Sequence, residues 1–245
     1  MSERPFLVMI PGFINTDILW RRQVELLSEI ADVHVTQQLL RHCDFEAAAE
    51  AILAESPPNF AVAGMSTGGY CSLLVNKLGG DRVTGLCLIG STPNLEAAGV
   101  NKGLIELGEI LPHEDFDYVK RALIPFFLND DNQRSRSMTA IVDTMAETIG
   151  AEGIAQQLAN LRQGRDLRDE LSEIICPTLV MCGAADKLIP PELSREVTSR
   201  IQRSKLVIVK EAAHLLPLER PETVAEFMRN WLMGNLAMDR EEIHL

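Results

Sequence analysis

Residues Val62 to Tyr70 read VAGMSTGGY and set Ser66 between Gly64 and Gly68, directly behind an apolar run that starts at Phe60. At average glycine and serine usage a chain of this size carries such a pentad by accident about one time in twenty, so its meaning rests on its flanks. Before it, Phe60–Met65 has the pattern of a short buried strand. After it, Thr67–Leu78 places Leu73, Leu74 and Leu78 on one face of a helix. Ser66 therefore stands where a strand turns into a helix. That turn is sharp and strains the serine backbone, and residues two before and two after must be small where strand and helix nearly touch. Gly64 and Gly68 meet that demand. The hydroxyl is then held above the sheet, facing the free N–H groups and positive dipole end of the helix.

Working outward, short aliphatic runs at Phe6–Ile10, Val33–Thr36, Phe60–Met65, Val83–Ile89, Thr178–Gly183 and Lys205–Val209 alternate with helical patterns. The helical patterns cover Asp17–Glu29, Phe45–Glu55, Thr67–Leu78, Pro191–Arg200 and Pro221–Met233. Alternation of this kind predicts an α/β fold, a mostly parallel sheet flanked by crossover helices. Between about Pro93 and Ser172 there is helical periodicity and no convincing strand. Residues 93–172 are therefore expected to be an all-helical lid inserted into a core domain of residues 1–92 and 173–245. In an α/β sheet the carboxyl ends of the strands hold the site, and an insertion leaving one of them covers it. The apolar residues Phe116, Tyr118, Phe126, Phe127 and Met138 are candidates to line a pocket beneath that lid.

Composition narrows the partners. The chain has 245 residues, 46% hydrophobic and 24% charged, enough for one large domain with a sizeable core. No apolar run approaches the roughly 18 residues of a membrane span, and no basic-then-apolar leader opens the chain, so a cytoplasmic protein is expected. A net charge of −12, from 23 basic and 35 acidic residues, argues against nucleic acid or an anionic membrane as partner and leaves a small-molecule substrate. Half of that charge lies in the insertion, where 8 basic residues face 14 acidic ones between Asn94 and Ser172. Acidic carrier proteins and coenzyme A esters are correspondingly disfavoured as steered partners. Arg162, Arg165 and Arg168 are interrupted by Asp166 and Asp169 and read as a solvated helical face. Five scattered cysteines without C-x-x-C spacing indicate neither a disulfide framework nor a zinc site. His42, Cys43 and Asp44 have no second cluster to complete a metal site, and no metal or organic cofactor is expected.

A serine hydroxyl becomes a nucleophile when a base takes its proton, and the base needs an acid to orient it. Of five histidines, His214 follows the last predicted strand and precedes the helix opened by Pro221, which brings it to a carboxyl-end loop. Asp186 lies three residues after the strand that ends at Gly183, at another such loop. The order Ser66, Asp186, His214 matches one of three known serine-triad orders. An oxyanion on the attacked carbonyl needs N–H donors. Thr67 offers one at the helix start, and Phe13 offers another after the Pro11-Gly12 break that follows the first strand.

These residues resemble the α/β-hydrolase superfamily, in particular its lid-bearing esterases and its enol-lactone and C–C bond hydrolases. GMSTGGY looks like the nucleophile turn, PTLVMCGAADKLIPP like the acid loop, and EAAHLLPLERPETVAEFMRNWL like the histidine loop and closing helix. The likeness spans nearly the whole chain outside the insertion. It departs where Pro11-Gly12 replaces the usual His-Gly, where QQLLRHCDF replaces an Asp-x-Arg-Gly-x-Gly stretch, and where no leading hairpin precedes the strand at Phe6. The resemblance implies a serine hydrolase for a small ester or lactone working through an acyl-enzyme. Ser66 would be nucleophile, His214 base, Asp186 the orienting acid, and Phe13 and Thr67 the oxyanion donors. The same triad serves C–C bond hydrolysis and cyanohydrin-type lyase reactions, which product analysis separates. From another class, the scaffold also suits a ligand-binding receptor with slow or no turnover.

Overall fold

The computed structural model describes residues 4–95 and 116–245. Among them seven strands form one parallel sheet in the order β2-β1-β3-β4-β5-β6-β7. The strands are β1 (Phe6–Ile10), β2 (Asp32–Val35), β3 (Phe60–Met65), β4 (Val83–Ile89), β5 (Thr178–Gly183), β6 (Ser204–Val209) and β7 (Glu242–His244). The sequences FAVAGM, TLVMCG and SKLVIV of β3, β5 and β6 are buried at every position, as strands covered on both faces must be.

The chain winds from β1 outward to β2, then returns past β1 to lay down β3 and β4 on the other side. The order therefore reverses between β1 and β3. Loops leaving the carboxyl ends of those strands part in opposite directions and open a crevice, the usual ligand position in an open α/β sheet.

The helices are α1 (Arg21–Leu27), α2 (Gln38–Arg41), α3 (Phe45–Glu55), α4 (Thr67–Gly79), α5 (Phe116–Phe127), α6 (Asp130–Gln133), α7 (Arg136–Leu161), α8 (Pro191–Arg200), α9 (Leu216–Glu219) and α10 (Pro221–Leu232). Helix α3 starts where the Asp44 carboxylate accepts from Ala47 N–H at 2.6 Å, a side-chain cap. Helix α10 closes the fold by laying Trp231 against Gly85 of β4, where a Cβ would come within 2.8 Å of the indole. The Trp231 indole N–H also donates to the Pro177 carbonyl at 3.0 Å.

Several expectations shift. The helix expected over 17–29 begins as a 3-10 turn, Asp17–Trp20, capped by the Thr16 hydroxyl, and its α-helical part ends at Leu27. Strand β2 starts and ends one residue earlier than expected, and the stretch QQLLRHCDF that follows it contains α2. Strand β7 was not foreseen, because three residues of a charged tail carry no apolar alternation. It is held by pairing to β6 and by the Arg195 guanidinium on Glu242 at 2.8 Å.

Between β4 and β5 the described residues are helical, with α7 kinked at Gly150 (φ 70°). Leu167 N–H donates to the Pro93 carbonyl at 2.9 Å, which ties together the two ends of the stretch between β4 and β5. Two of the three arginines near those ends, Arg165 and Arg168, are held in ion pairs. Arg165 meets Glu46 and Glu170, and Arg168 meets Asp166 and Glu196.

Candidate functional site

Ser66 ends β3 and opens α4 with φ 55° and ψ −120°, a left-handed conformation that a side chain adopts only under strain. The surroundings explain how the strain is held. Ser66 N–H donates to the Ile89 carbonyl at 2.8 Å, while its own carbonyl accepts from Gly69 N–H, Tyr70 N–H and the Ser91 hydroxyl. Glycine is required at both flanking positions. A Cβ on Gly64 would lie 2.2 Å from the Gly68 carbonyl oxygen, and one on Gly68 would lie 2.2 Å from that of Ile10.

Above this turn runs a continuous hydrogen-bonded chain. His214 Nε2 is 3.0 Å from Ser66 Oγ, and His214 Nδ1 is 2.8 Å from Asp186 Oδ2. A carboxylate only accepts, so Nδ1 carries the proton and Nε2 is left with the lone pair that faces the serine hydroxyl. Asp186 Oδ1 is occupied by the N–H groups of Leu188 and Ile189, each at 2.9 Å, which fix the carboxylate. Asp186 and His214 are almost fully buried. Water is thereby kept off the acid–imidazole bond, which strengthens it. Gly90, at φ +51°, passes so close that a Cβ there would stand 3.3 Å from Asp186 Oδ2 and 3.4 Å from His214 Nδ1.

The His214 loop is fastened to the helical segment as well. Glu219, on α9, accepts from Ala213 N–H at 2.5 Å, from Asn129 N–H at 2.7 Å and from the Asn132 amide at 2.9 Å. Leu215 N–H donates to the Phe127 carbonyl at 2.9 Å, and the Phe127 ring stacks on the His214 imidazole at 6.1 Å.

A small cleft of about 10 Å³ lies over Ser66 and His214, with Phe13, Thr67, Thr92, Leu95, Phe127, Leu188 and Ile189 in its wall. Phe13 and Thr67 thus face the same space as the serine hydroxyl. Gly12 permits this, since a Cβ there would lie 2.5 Å from the Met65 carbonyl oxygen. Among the described residues of the cleft wall, His214 is the one with an ionisable side chain. Of the five aromatic and methionine candidates between β4 and β5, Phe127 reaches the cleft. Phe116 and Met138 pack against the core, and Tyr118 and Phe126 are half exposed on the outer side of α5. Helical periodicity identifies an apolar stripe but not which aromatic of it turns inward.

Other histidines stand elsewhere. His34 bonds to Glu55, His42 to Gln38 and His244 to Glu242, while His113 lies outside the described residues. Among the described residues no group of three or more His, Cys, Asp or Glu side chains is arranged to hold a metal ion, and no helix is long and apolar enough to cross a membrane. Thr92, Leu95, Leu188 and Ile189 had a signal available, since each follows within a few residues of the carboxyl end of β4 or β5. Glu219 had none, because two of its three partners, Asn129 and Asn132, are distant in the chain.

Fold and site together define an α/β-hydrolase. Residues 7–227 match the alpha/beta hydrolase family, and the chain belongs to it. In sequence it is similar to the pimeloyl-[acyl-carrier protein] methyl ester esterase of Neisseria meningitidis serogroup A, 28% identical over 199 residues. That match covers 79% of this chain, which spans 63% of the relative's length. The enzyme of the same description from Aliivibrio salmonicida is 26% identical over 228 residues, covering 87% of this chain and 86% of its own. In structure the chain is similar to a thermophilic esterase from Thermogutta terrifontis, with TM-score 0.82, 23% identity and coverage of 94% and 90%. It is also similar to the enol-lactonase of Burkholderia xenovorans, with TM-score 0.83, 20% identity and coverage of 95% and 92%. These two solved structures support the fold.

Proposed function

We propose that this protein is a serine carboxylic-ester hydrolase acting on a small, uncharged ester, a methyl ester or a lactone, through an acyl-enzyme. The observation that carries the proposal is the unbroken chain from Ser66 Oγ through His214 to Asp186, at 3.0 and 2.8 Å. His214 Nε2 takes the hydroxyl proton as Ser66 attacks the ester carbonyl, and Asp186 stabilises the imidazolium that forms. Negative charge developing on the carbonyl oxygen is met by the N–H groups of Phe13 and Thr67, the latter backed by the positive end of α4. His214 then returns the proton to the departing alcohol. Water, activated by the same imidazole, releases the acid from Ser66.

The methyl-ester relatives support ester cleavage with a small alcohol as leaving group. The cleft wall, whose one ionisable side chain among the described residues is His214, supports a neutral reacting group, and the acidic insertion supports a free ester in preference to one carried on an acidic protein. Helices α5 to α7, in the stretch whose ends the Pro93–Leu167 hydrogen bond ties together, act as the lid over this cleft. The experiment is product analysis on a panel of short methyl esters and lactones. Acid and methanol are expected in equal amounts from the esters. Ser66→Ala is expected to lower kcat by roughly 10⁴ to 10⁶-fold. Undiminished turnover in that variant would refute the assignment.

A further inference from the structure

Gln157, on α7, is only 8% exposed and reaches from the helical segment to the loop after β1. Its side-chain oxygen accepts from Ile14 N–H at 2.9 Å. A main-chain N–H can only donate, so this bond fixes which end of the amide faces Ile14 and turns Nε2 the other way. That Nε2 is buried and has no hydrogen-bond partner among the described residues. Buried donors without acceptors are rare in native proteins and destabilising, and they call for an explanation.

The position supplies one. Gln157 and Asn160 border a narrow cavity of about 10 Å³ whose wall includes Phe13 and Thr67, the residues that also face Ser66. On their other side the same two amides border an open cleft of about 270 Å³ between α7 and the core, with Thr16, Thr148 and Gln156 in its wall. Phe13 and Thr67 thus border both the space over Ser66 and the narrow cavity, and Gln157 and Asn160 border both that cavity and the open cleft. Asn160 is already committed, its amide N–H₂ to the His42 carbonyl and its oxygen to Gln156, each at 3.0 Å. Gln157 Nε2 is the donor left over. Among the described residues of the open cleft's wall the one formal charge is Asp17, which disfavours an anionic ligand there.

We infer that Gln157 Nε2 is a substrate-binding donor. It takes an uncharged oxygen of the acyl group, a ketone, ether or second ester carbonyl, several atoms from the scissile bond. The connecting stretch of chain is unbranched, because the space beside Phe13 and Thr67 admits little more than one water. This deepens the proposed function and rests on it. Through Ile14, which sits at φ 57° next to Phe13, the same amide also steadies the loop that holds the Phe13 N–H.

The test measures kcat/KM for a series of unbranched methyl esters, each paired with an equal-length ester bearing one ketone, moved from carbon 4 to carbon 7. Wild type is expected to favour one ketone position over its plain partner by roughly tenfold, the size of one well-made hydrogen bond. Gln157→Glu keeps an acceptor for Ile14 N–H and removes the donor. Whatever its absolute rate, it is expected to cleave each ketone ester no faster than the plain partner, with the preference gone. Gln157→Met, which loses both bonds, is expected to slow all esters and to show no preference. If wild type cleaves plain and ketone esters equally at every position, or if the preference survives in both variants, the inference is overturned while ester hydrolysis stands. If wild type cleaves none of the series, the proposed function falls with it.

Discussion

Replacing Glu219 with leucine removes one buried carboxylate and strands three donors. Ala213 N–H is buried and has no access to water, whereas Asn129 N–H and the Asn132 amide are partly exposed and regain water in part. One fully orphaned donor and two partly compensated ones cost about 2–5 kcal/mol in total. In a chain of this length each kcal/mol lowers Tm by about 2–4 °C, so Glu219→Leu is expected to melt roughly 4–20 °C below wild type. Glu219→Gln keeps one acceptor oxygen and is expected to fall between the two. Thermal melts followed by circular dichroism, with urea midpoints measured in parallel, give the comparison. Because Ala213 adjoins His214, the leucine variant is also expected to lose activity at temperatures where it remains folded. A melting temperature within about 1 °C of wild type would show that these hydrogen bonds do not hold the histidine loop, and the reasoning would be refuted.

Gly68→Ala puts a Cβ 2.2 Å from the Ile10 carbonyl oxygen, which belongs to backbone that cannot rotate away. The variant is expected to express poorly or to fold with Ser66 displaced and activity lost; a stable, fully active protein would contradict the close approach of α4 to β1. The thiols offer an independent check on the core. Burial pushes Cys71, Cys87 and Cys176 upward and Cys182 up to about 12, whereas Cys43 is exposed. At pH 8 the four buried thiols therefore remain protonated and covered, and a disulfide reagent is expected to titrate one thiol in the native protein and five in denaturant. Two or more fast-reacting thiols in the native state would show that the sheet packing is wrong.

How much was legible in the sequence follows from the range of each interaction. Strands β1, β3, β4 and β5 were placed to the residue because fully covered strands are written as unbroken apolar runs between turn residues. The serine turn was legible because its glycines stand at fixed short spacing from Ser66, although the contact that demands Gly68 is with the distant Ile10 carbonyl. Asp186 and His214 were found because a parallel sheet brings every post-strand loop to one edge, so position in the chain implies position in space. Strand β7 escaped because its pairing with β6 and the Arg195–Glu242 contact, not its composition, make it a strand. Gln157 escaped for a similar reason, since its partner Ile14 is 143 residues away and nothing local to α7 marks it. Phe127 was separable from Tyr118 and Phe126 only once the pitch of α5 against the core was known.

The central claim is that Ser66 is an activated nucleophile. The most direct measurement is the intact mass of the protein after incubation with a fluorophosphonate, wild type beside Ser66→Ala. A single stoichiometric adduct on wild type, absent from the variant, is the expected result. A folded wild-type protein that takes up no adduct, or a Ser66→Ala variant labelled to the same extent, would contradict the account.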